Sequence, residues 1–225
     1  MESSSIARPP AIHCIGKNYL DHVKETGLDK PLDYPLIFYK NPASLSKNGD
    51  DIVIPKICKV NGPQVDYEGE LAIIIGKDCK NVSKEDALSV IGSYAVANDV
   101  SARWWQRKGS GGQFNFGKSF DTFCPMTVPV PASQVPDPQN LRITTKLNGT
   151  LMQESNTKMM IYDIPYLINH LSQGTTLLAG TIILTGTPGG VGDARVPPIY
   201  LKDGDVVEIE VENVGVLTNK VVEEQ

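Results

Sequence analysis

Short apolar runs that are rich in β-branched residues recur along this chain, and their lengths are typical of strands. The clearest runs are residues 70–76, residues 181–186 and residues 206–212. The third run alternates, with apolar residues at 207, 209 and 211, and it predicts a strand with one exposed face. Weaker runs of the same kind cover residues 93–99, 141–147 and 214–222. The pattern therefore predicts a protein built mainly of strands.

Helical patterns are fewer than strand patterns. Ser83, followed three residues later by Asp86, resembles a capping box and predicts a helix that begins at Ser83. A second helix is predicted from Asp163 to Gly174, because the apolar residues between them are spaced i, i+3, i+4 and i+7. A short third helix is predicted around residues 19–26. Since helices and strands do not alternate regularly, the sequence predicts a strand-rich α+β fold with few helices.

The composition is that of a folded globular protein. Of the 225 residues, 40% are hydrophobic and 21% are charged, which excludes a mostly disordered chain. The 20 glycines and 16 prolines are spread throughout, as expected for many turns between short elements. No linker divides the chain, so we predict a single domain over residues 1–225, with about residues 1–10 as a loose N-terminal tail.

Charge and hydropathy argue against two kinds of partner. The 21 basic and 26 acidic residues give a net charge of −5, whereas a general nucleic-acid binder is normally basic. No apolar run approaches the roughly 18 residues of a membrane span, so we expect no membrane partner. The N-terminal residues contain no apolar signal core, and the expected compartment is the cytoplasm, with mitochondria as the alternative.

Residues that bind soft metals are scarce. The four cysteines form no C-x-x-C motif, which excludes zinc ribbons and thioredoxin-like motifs. Only three histidines are present, so any metal site in this protein would depend mostly on oxygen ligands.

Acidic residues cluster near the ends of two predicted strands. Glu68 and Glu70 enter the run over 70–76, and alternation puts their side chains on one face, which Asp66 could join. Asp99 ends the run over 93–99. If the two strands pair, three carboxylates converge, and their like charges call for a cation such as Mg²⁺ or Mn²⁺. The alternative is an exposed acidic strand face without a metal.

His22 and Glu25 form an H-x-x-E pair on the short third helix. One helical turn brings the two side chains together, so the carboxylate can orient the imidazole and stabilise its charged form. A pair of this kind can act as a general base toward water. The alternative is a surface pair without a catalytic role.

Two glycine-rich segments invite a phosphate-binding interpretation. Residues 112–119 match the P-loop pattern literally, but they lack the preceding strand and the following helix that a P-loop requires. Lys118 in this segment remains a candidate point charge for a carboxylate. Residues 185–192 follow a predicted strand, and their backbone N–H groups could bind an anion or simply form a turn.

Taken in order, these motifs resemble those of the fumarylacetoacetate hydrolase superfamily, especially its small acylpyruvate hydrolase and oxaloacetate-acting members. The resemblance spans nearly the whole chain, and the motifs are specific as a set although each is weak alone. They are Gly16-Lys-Asn-Tyr-Leu-Asp-His22-Val-Lys-Glu25, Pro35-Leu-Ile-Phe-Tyr-Lys40, Asp66-Tyr-Glu-Gly-Glu-Leu, Ala97-Asn-Asp-Val-Ser-Ala-Arg103-Trp-Trp-Gln106, Gly117-Lys-Ser-Phe-Asp121 and Leu184-Thr-Gly-Thr-Pro-Gly-Gly-Val-Gly192.

The resemblance implies a mixed β-sandwich roll, a homodimer, and one divalent cation per subunit, Mg²⁺ with Mn²⁺ or Ca²⁺ as alternatives. It assigns catalytic roles to the dyad of His22 and Glu25, on a lid helix, and to Lys118. The metal ligands that it implies are Glu68, Glu70 and Asp99. Contacts to a small 2-oxo acid substrate are assigned to Arg103, Gln106, Lys118, Thr187 and, more weakly, Lys40.

The resemblance also implies an enzyme. The main hypothesis is a metal-dependent hydrolase that cleaves a C–C bond of a 2,4-dioxo acid of the acylpyruvate type through an enolate. Alternatives are an oxaloacetate tautomerase or decarboxylase on the same site, and a biosynthetic isomerase or decarboxylase of this fold. A non-catalytic binding module and a P-loop NTPase are further alternatives. Trp104 and Trp105, which stand where an Asp is common after the arginine, are expected beside the substrate pocket.

Overall fold

Fifteen strands and four short helices form the part of the chain that the structure describes. The structure is a computed structural model, and the described residues are 8–27, 30–107 and 110–225. Residues 1–7, most of the predicted N-terminal tail, lie outside the described residues. Within these ranges, no helix is long and apolar enough to cross a membrane.

The secondary structure consists mostly of strands of two to nine residues. The helices are α1 (Leu20–Glu25), α2 (Arg103–Gln106), α3 (Phe114–Gly117) and α4 (Ile164–Ser172). The strands are β1 (Ile12–Gly16), β2 (Leu36–Lys40), β3 (Leu45–Lys47), β4 (Ile52–Ile54), β5 (Val65–Asp66), β6 (Gly69–Ile75), β7 (Ile91–Asn98), β8 (Ser101–Ala102), β9 (Cys124–Met126), β10 (Val130–Pro131), β11 (Arg142–Leu147), β12 (Thr150–Asn156), β13 (Ile182–Leu184), β14 (Val206–Val211) and β15 (Gly215–Glu223).

Two main sheets carry the fold. The larger has the order β2-β1-β13-β6-β7-β9-β3, with β10 also paired to β7, and the smaller has the order β12-β11-β14-β15-β4. Strands β5 and β8 form a separate antiparallel pair. Both main sheets are mixed, since β1–β13, β3–β9 and β4–β15 are parallel and the other pairs are antiparallel. The strand-rich α+β prediction is therefore confirmed.

The main hydrophobic core contains side chains from both sheets. Leu71 from the larger sheet and Ile209 from the smaller one belong to the same cluster of buried side chains. Ala72, the next residue of β6, belongs to a second cluster on the other face of the larger sheet. Both faces of β6 are thus covered, which explains why residues 71–75 are continuously apolar rather than alternating.

The predicted helix that begins at Ser83 is wrong, whereas the one at Asp163 is confirmed. The Ser83 hydroxyl does accept a hydrogen bond from the Asp86 N–H at 3.1 Å, but the chain forms only a 3₁₀ turn over Ala87–Val90. Strand β7 begins at the next residue to pair with β6, which leaves no room for an α-helix. The Asp163 carboxylate caps α4 by accepting a hydrogen bond from the Tyr166 N–H at 2.8 Å.

The antiparallel pairing of β6 with β7 positions the predicted site. Gly69 lies opposite Asn98 in the register, so Glu68 and Asp99 emerge at the same edge of the sheet. The Asp99 N–H donates to the Glu68 carbonyl oxygen at 2.8 Å and extends the pairing past the strand ends. A Cβ at Gly69 would lie 2.2 Å from the Thr145 hydroxyl oxygen, so a residue without a side chain is required between Glu68 and Glu70.

Candidate active site

Three buried carboxylates meet at this edge of the larger sheet. Glu68, Glu70 and Asp99 each place a carboxylate oxygen within 4.8 Å of the other two. All three residues are at most 5% exposed. The exposed-strand alternative is therefore wrong, because this acidic face lies inside the protein.

Two buried lysines compensate part of this negative charge. The Lys118 ammonium donates to Glu68 Oε2 at 2.7 Å and to Asp99 Oδ2 at 2.5 Å. The Lys40 ammonium donates to Asp99 Oδ1 at 2.6 Å and to the Val100 carbonyl oxygen at 3.1 Å. Lys40 was a weaker substrate-binding candidate, but the structure places it behind Asp99, and it is not among the described residues that line the cavity.

Glu70 is the least compensated of the three carboxylates. Its Oε2 accepts a hydrogen bond from the Gly186 N–H at 2.7 Å, and none of the ion pairs among the described residues includes it. Burial raises the pKa of the Glu70 carboxyl well above its ordinary value, and the charges of Asp99 and Glu68 raise it further. Burial alone would also raise the pKa of Glu68, but Lys118 and Arg103 outweigh it and hold that pKa below its ordinary value.

The donor set fits a divalent cation. Hard cations such as Mg²⁺ and Ca²⁺ bind carboxylate oxygens, and the three converging groups are of this kind. The environment of Glu70 agrees with this fit, because burial and then the charges of Asp99 and Glu68 raise its pKa, and an added cation would offset that repulsion. The triad could therefore hold a divalent metal ion.

Asp66 is not part of this cluster, contrary to the expectation that it could join the same face. Its Oδ2 accepts hydrogen bonds from Arg103 Nε at 2.9 Å and from Arg103 Nη2 at 2.7 Å. Asp66 Oδ1 accepts a hydrogen bond from the Gly192 N–H, and Oδ2 accepts one from the Asp193 N–H, each at 2.9 Å. Asp66 thus holds Arg103 in place and fixes the glycine-rich turn beside it.

Arg103 links Asp66 to the carboxylate triad. Its Nη1 donates to Glu68 Oε1 at 2.6 Å and to Gln106 Oε1 at 3.0 Å. Burial opposes the charged form, but the carboxylates of Asp66 and Glu68 outweigh it and raise the pKa of Arg103. The guanidinium is therefore a permanent positive charge beside Glu68.

The predicted lid dyad forms on α1. His22 Nδ1 lies 2.6 Å from Glu25 Oε1, and Glu25 Oε2 accepts the N–H of Gly190 at 2.7 Å. The His22 side chain is buried, and both residues line the cavity. Glu25 therefore orients the imidazole and attaches the helix to the glycine-rich turn.

The glycine-rich turn over residues 185–192 binds the protein's own carboxylates. Its N–H groups at Gly186, Gly190 and Gly192 donate to Glu70, Glu25 and Asp66, respectively. A Cβ at Gly192 would lie 1.9 Å from the Ile199 carbonyl oxygen, so the turn requires a glycine there. An anion site and a plain turn were the two interpretations of this segment, and the structure shows a turn that positions catalytic candidates.

One cavity of about 290 Å³ collects most of the predicted residues. Neither Trp104 nor Trp105 is among its described lining residues, so the expectation that they flank the substrate pocket is not supported. The two indoles pack edge to face, and Trp105 packs against Phe116. The predicted residues that line the cavity are His22, Glu25, Glu68, Arg103, Gln106, Lys118 and Thr187, and the other lining residues are Ile15, Gly16, Lys17, Thr26, Leu36, Phe38, Arg107, Phe114, Val191, Asp193 and Ala194.

Three polar residues around this cavity were not predicted from the sequence. Gln153 on β12 donates to the Thr187 hydroxyl at 2.7 Å and accepts the Gly69 N–H at 3.0 Å, so it connects the two sheets at the site. Asp193 forms an ion pair with Arg107 across the cavity. Lys17 also lines the cavity. A buried glutamine gives no periodic signal in the sequence, and only the Gly-Lys-Asn motif could have drawn attention to Lys17.

The literal P-loop match has another explanation in the structure. The described residues before it form α2 rather than a strand, and those after Gly112 form the four-residue helix α3. The buried Lys118 ammonium donates to Glu68 and Asp99 and does not extend from a phosphate-binding loop.

The chain is similar to known proteins over almost its whole length. The family described as fumarylacetoacetate (FAA) hydrolase, C-terminal, matches residues 11–222. The chain belongs to the fumarylacetoacetate hydrolase family. Among curated relatives, the mitochondrial oxaloacetate tautomerases FAHD2B of Bos taurus and FAHD2A of Homo sapiens are 44% and 43% identical over 218 residues. In both cases the match covers 96% of this chain and 68% of the relative.

Solved structures agree with the family assignment. The 5-carboxymethyl-2-hydroxymuconate delta-isomerase from Mycobacterium smegmatis is 38% identical with a TM-score of 0.83, over 97% of this chain and 80% of that one. The fumarylacetoacetate hydrolase from Exiguobacterium antarcticum is 39% identical with a TM-score of 0.84, over 96% of this chain and 76% of that one. The predicted family fold is therefore confirmed. The tautomerase and isomerase relatives favour the alternative activities over acylpyruvate hydrolysis.

Proposed function

We propose that this protein catalyses keto–enol tautomerisation of a small 2-oxo acid, with oxaloacetate as the substrate. The observation that carries the proposal is one cavity that contains both the Glu68 edge of the carboxylate triad and the His22–Glu25 pair. The relatives named as oxaloacetate tautomerases support this choice among the reactions of the family.

Tautomerisation moves one proton between carbon 3 and the 2-oxo oxygen of the substrate, so one C–H bond breaks and one O–H bond forms. Glu68, Glu70 and Asp99 would hold the cation, and we propose Mg²⁺. When bound, it supplies positive charge that stabilises the enolate form of a 2-oxo acid.

His22 is the group that would move the proton. Since Nδ1 is hydrogen bonded to Glu25, Nε2 is the ring nitrogen left to exchange a proton with carbon 3. The Glu25 carboxylate stabilises the imidazolium that forms when Nε2 accepts this proton. Because Glu25 also accepts a hydrogen bond from the Gly190 N–H, it fixes α1 to the glycine-rich turn beside the cavity.

The cations on the cavity floor would bind the substrate carboxylate. Arg103 and Lys118 are both buried and line the cavity, so their charges act in a region from which water is largely excluded. Gln106 and Thr187 add hydrogen-bonding groups at the same wall. These residues orient the substrate so that carbon 3 faces His22.

The test follows two products of oxaloacetate in parallel. Loss of enol absorbance and release of pyruvate are measured with Mg²⁺ and with EDTA. We expect enol loss that EDTA abolishes, without matching pyruvate, and a decrease of about 100-fold in kcat for His22→Gln. The matched control is His170→Gln, since His170 lies on α4 and does not line the cavity. Pyruvate release at the same rate as enol loss would mean that the protein is a decarboxylase. Equal rates of enol loss with and without EDTA would contradict the proposal that the reaction depends on a metal ion.

Acylpyruvate hydrolysis is the second candidate, and the His22–Glu25 hydrogen bond favours it. The same pair could remove a proton from water as it attacks the distal carbonyl of a 2,4-dioxo acid, after which the C–C bond breaks toward the pyruvate end. Cleavage of acetylpyruvate that exceeds oxaloacetate turnover would make hydrolysis the main activity.

Two further expectations remain proposals. We retain the homodimer that the family resemblance implies, and light scattering of the full chain would test it. The cytoplasm remains the first expectation for the compartment, and the mitochondrial relatives support the alternative. Localisation of a tagged full chain would decide between them.

A further inference from the structure

The cavity contains one cation that no described residue compensates. Lys17 lines the cavity but forms no hydrogen bond or ion pair with residues 8–27, 30–107 or 110–225. The other cationic lining residues are paired with carboxylates, namely Arg103 with Asp66 and Glu68, Lys118 with Glu68 and Asp99, and Arg107 with Asp193.

The backbone at Lys17 is also unusual. Its φ is +57°, in the left-handed region that a long side chain rarely adopts. The neighbouring Asn18 holds this conformation, because its buried amide donates to the carbonyl oxygens of Thr185 at 2.8 Å and Tyr162 at 3.0 Å. Glycine or asparagine would adopt the same backbone more easily, so local conformation does not explain a lysine here. A strained residue in a cavity is a reason to look for a function.

Depth distinguishes Lys17 from the other cations. Arg103 and Lys118 are buried at the carboxylate triad, whereas Lys17 is partly exposed, between the end of β1 and the lid helix α1. A substrate whose 2-oxo carboxylate end meets the floor would therefore extend its other end toward Lys17. A lysine ammonium is a flexible point charge with three donors, which suits a carboxylate at the end of a short chain.

We infer that Lys17 is a specificity-determining residue that binds the distal carboxylate of a four-carbon dicarboxylate substrate. The inference rests on the proposed function, since it concerns the same cavity. A substrate with an apolar tail would gain nothing from the Lys17 charge, so Lys17 favours dicarboxylates over monocarboxylates.

The experiment separates recognition from turnover. Malate and 2-hydroxybutyrate carry the same 2-hydroxy acid end and differ in the distal carboxylate, and neither can tautomerise. Their Kd values are measured by calorimetry with Mg²⁺ for the wild-type protein, Lys17→Met and Lys17→Arg. We expect Lys17→Met to weaken malate binding by about tenfold and to leave 2-hydroxybutyrate binding unchanged. Lys17→Arg should retain most of the wild-type affinity for malate. Lys24→Met, on the exposed face of α1, is the matched control.

Steady-state kinetics provides the second measurement. For oxaloacetate, Lys17→Met should raise KM and leave kcat nearly unchanged, because the lysine does not touch the reacting atoms. An equal loss for malate and 2-hydroxybutyrate would overturn the inference. The inference would also be overturned if Arg107→Met, and not Lys17→Met, lost the preference for malate over 2-hydroxybutyrate. A wild-type protein that does not prefer malate would overturn it as well. If the wild-type protein binds malate through Lys17 but shows no enol loss, the tautomerase proposal fails and the assignment of Lys17 stands.

Discussion

Replacing Glu70, which we propose as a metal ligand, should make the metal-free protein more stable. The perturbation is Glu70→Gln, which keeps the shape of the side chain and removes its charge. Glu70 is buried, has only the Gly186 N–H as a described hydrogen-bond donor, and lies within 4.8 Å of two other carboxylates. The amide oxygen of glutamine can still accept that hydrogen bond, and its NH₂ group can donate to the neighbouring carboxylates.

The size of the effect follows from the distances. Two unit charges 4.8 Å apart repel by about 3.5 kcal/mol at an effective dielectric constant of 20. Lys118, Lys40 and Arg103 offset part of the charge of the neighbouring carboxylates. The free-energy cost of keeping Glu70 ionised has an upper limit, because the carboxyl can take up a proton instead. For an ordinary pKa of 4.5, protonation at pH 7 costs about 3.4 kcal/mol. We therefore expect Glu70→Gln to stabilise the metal-free protein by about 2 kcal/mol at pH 7.

The pH dependence has a definite sign. The folded-state pKa of Glu70 is raised, so ionisation above the unfolded-state pKa destabilises the fold, and more so as the pH rises toward the folded-state pKa. The advantage of Glu70→Gln should thus vanish below about pH 4.5 and grow above it.

The assay is urea unfolding in EDTA and in Mg²⁺, at pH 7 and at lower pH. Wild-type protein should gain stability from Mg²⁺, whereas Glu70→Gln should gain little because one ligand is gone. The control is Glu210→Gln, on the exposed face of β14. A metal-free Glu70→Gln protein that is less stable than wild type at pH 7 would refute the electrostatic reasoning. An unchanged response to Mg²⁺ would remove Glu70 from the ligand set.

Three further predictions concern stability, each measured as the free energy of unfolding in urea. Asp66→Asn should cost about 3 kcal/mol, because Arg103 loses the buried negative charge to which its Nε and Nη2 both donate, and a cost below about 1 kcal/mol would contradict this role. Gly192→Ala should cost about 3 kcal/mol, because the added Cβ would lie 1.9 Å from the Ile199 carbonyl oxygen, and an unchanged stability would show that the turn can shift. Glu208→Ala should leave the free energy of unfolding nearly unchanged, since both partners of its ion pair with Lys146 are 39% exposed, and a clear loss would mean that the pair is stronger than its exposure suggests.

Local pattern was informative where one element could be recognised without its neighbours. The alternation over 206–212 predicted β14, and the cap at Asp163 with its apolar spacing predicted α4. The pairing of β6 with β7, and so the convergence of Glu68 and Asp99, was predicted only conditionally. The condition was that the two strands pair, and they do so in a register that depends on residues of both strands.

Local pattern failed where packing against distant segments decides the outcome. Ser83 and Asp86 form the expected hydrogen bond, yet the following strand limits the helix to a 3₁₀ turn. Asp66 has the same spacing from Glu68 as Glu70 does, but Arg103 and the turn at Gly192 bind it instead. Its partners lie 37 and 126 residues away, and strand periodicity contains no information about them.

The sequence by itself determined the strand-rich class, the residue types of the site and their resemblance to one family. These properties depend on short spacings and on composition, which are visible along the chain. Only the tertiary structure decided that Lys40 lies behind Asp99 while Lys17 lines the cavity, and that Trp104 and Trp105 do not. The physical reason is that burial and charge compensation are properties of the space around a side chain, and contacts between distant segments create that space.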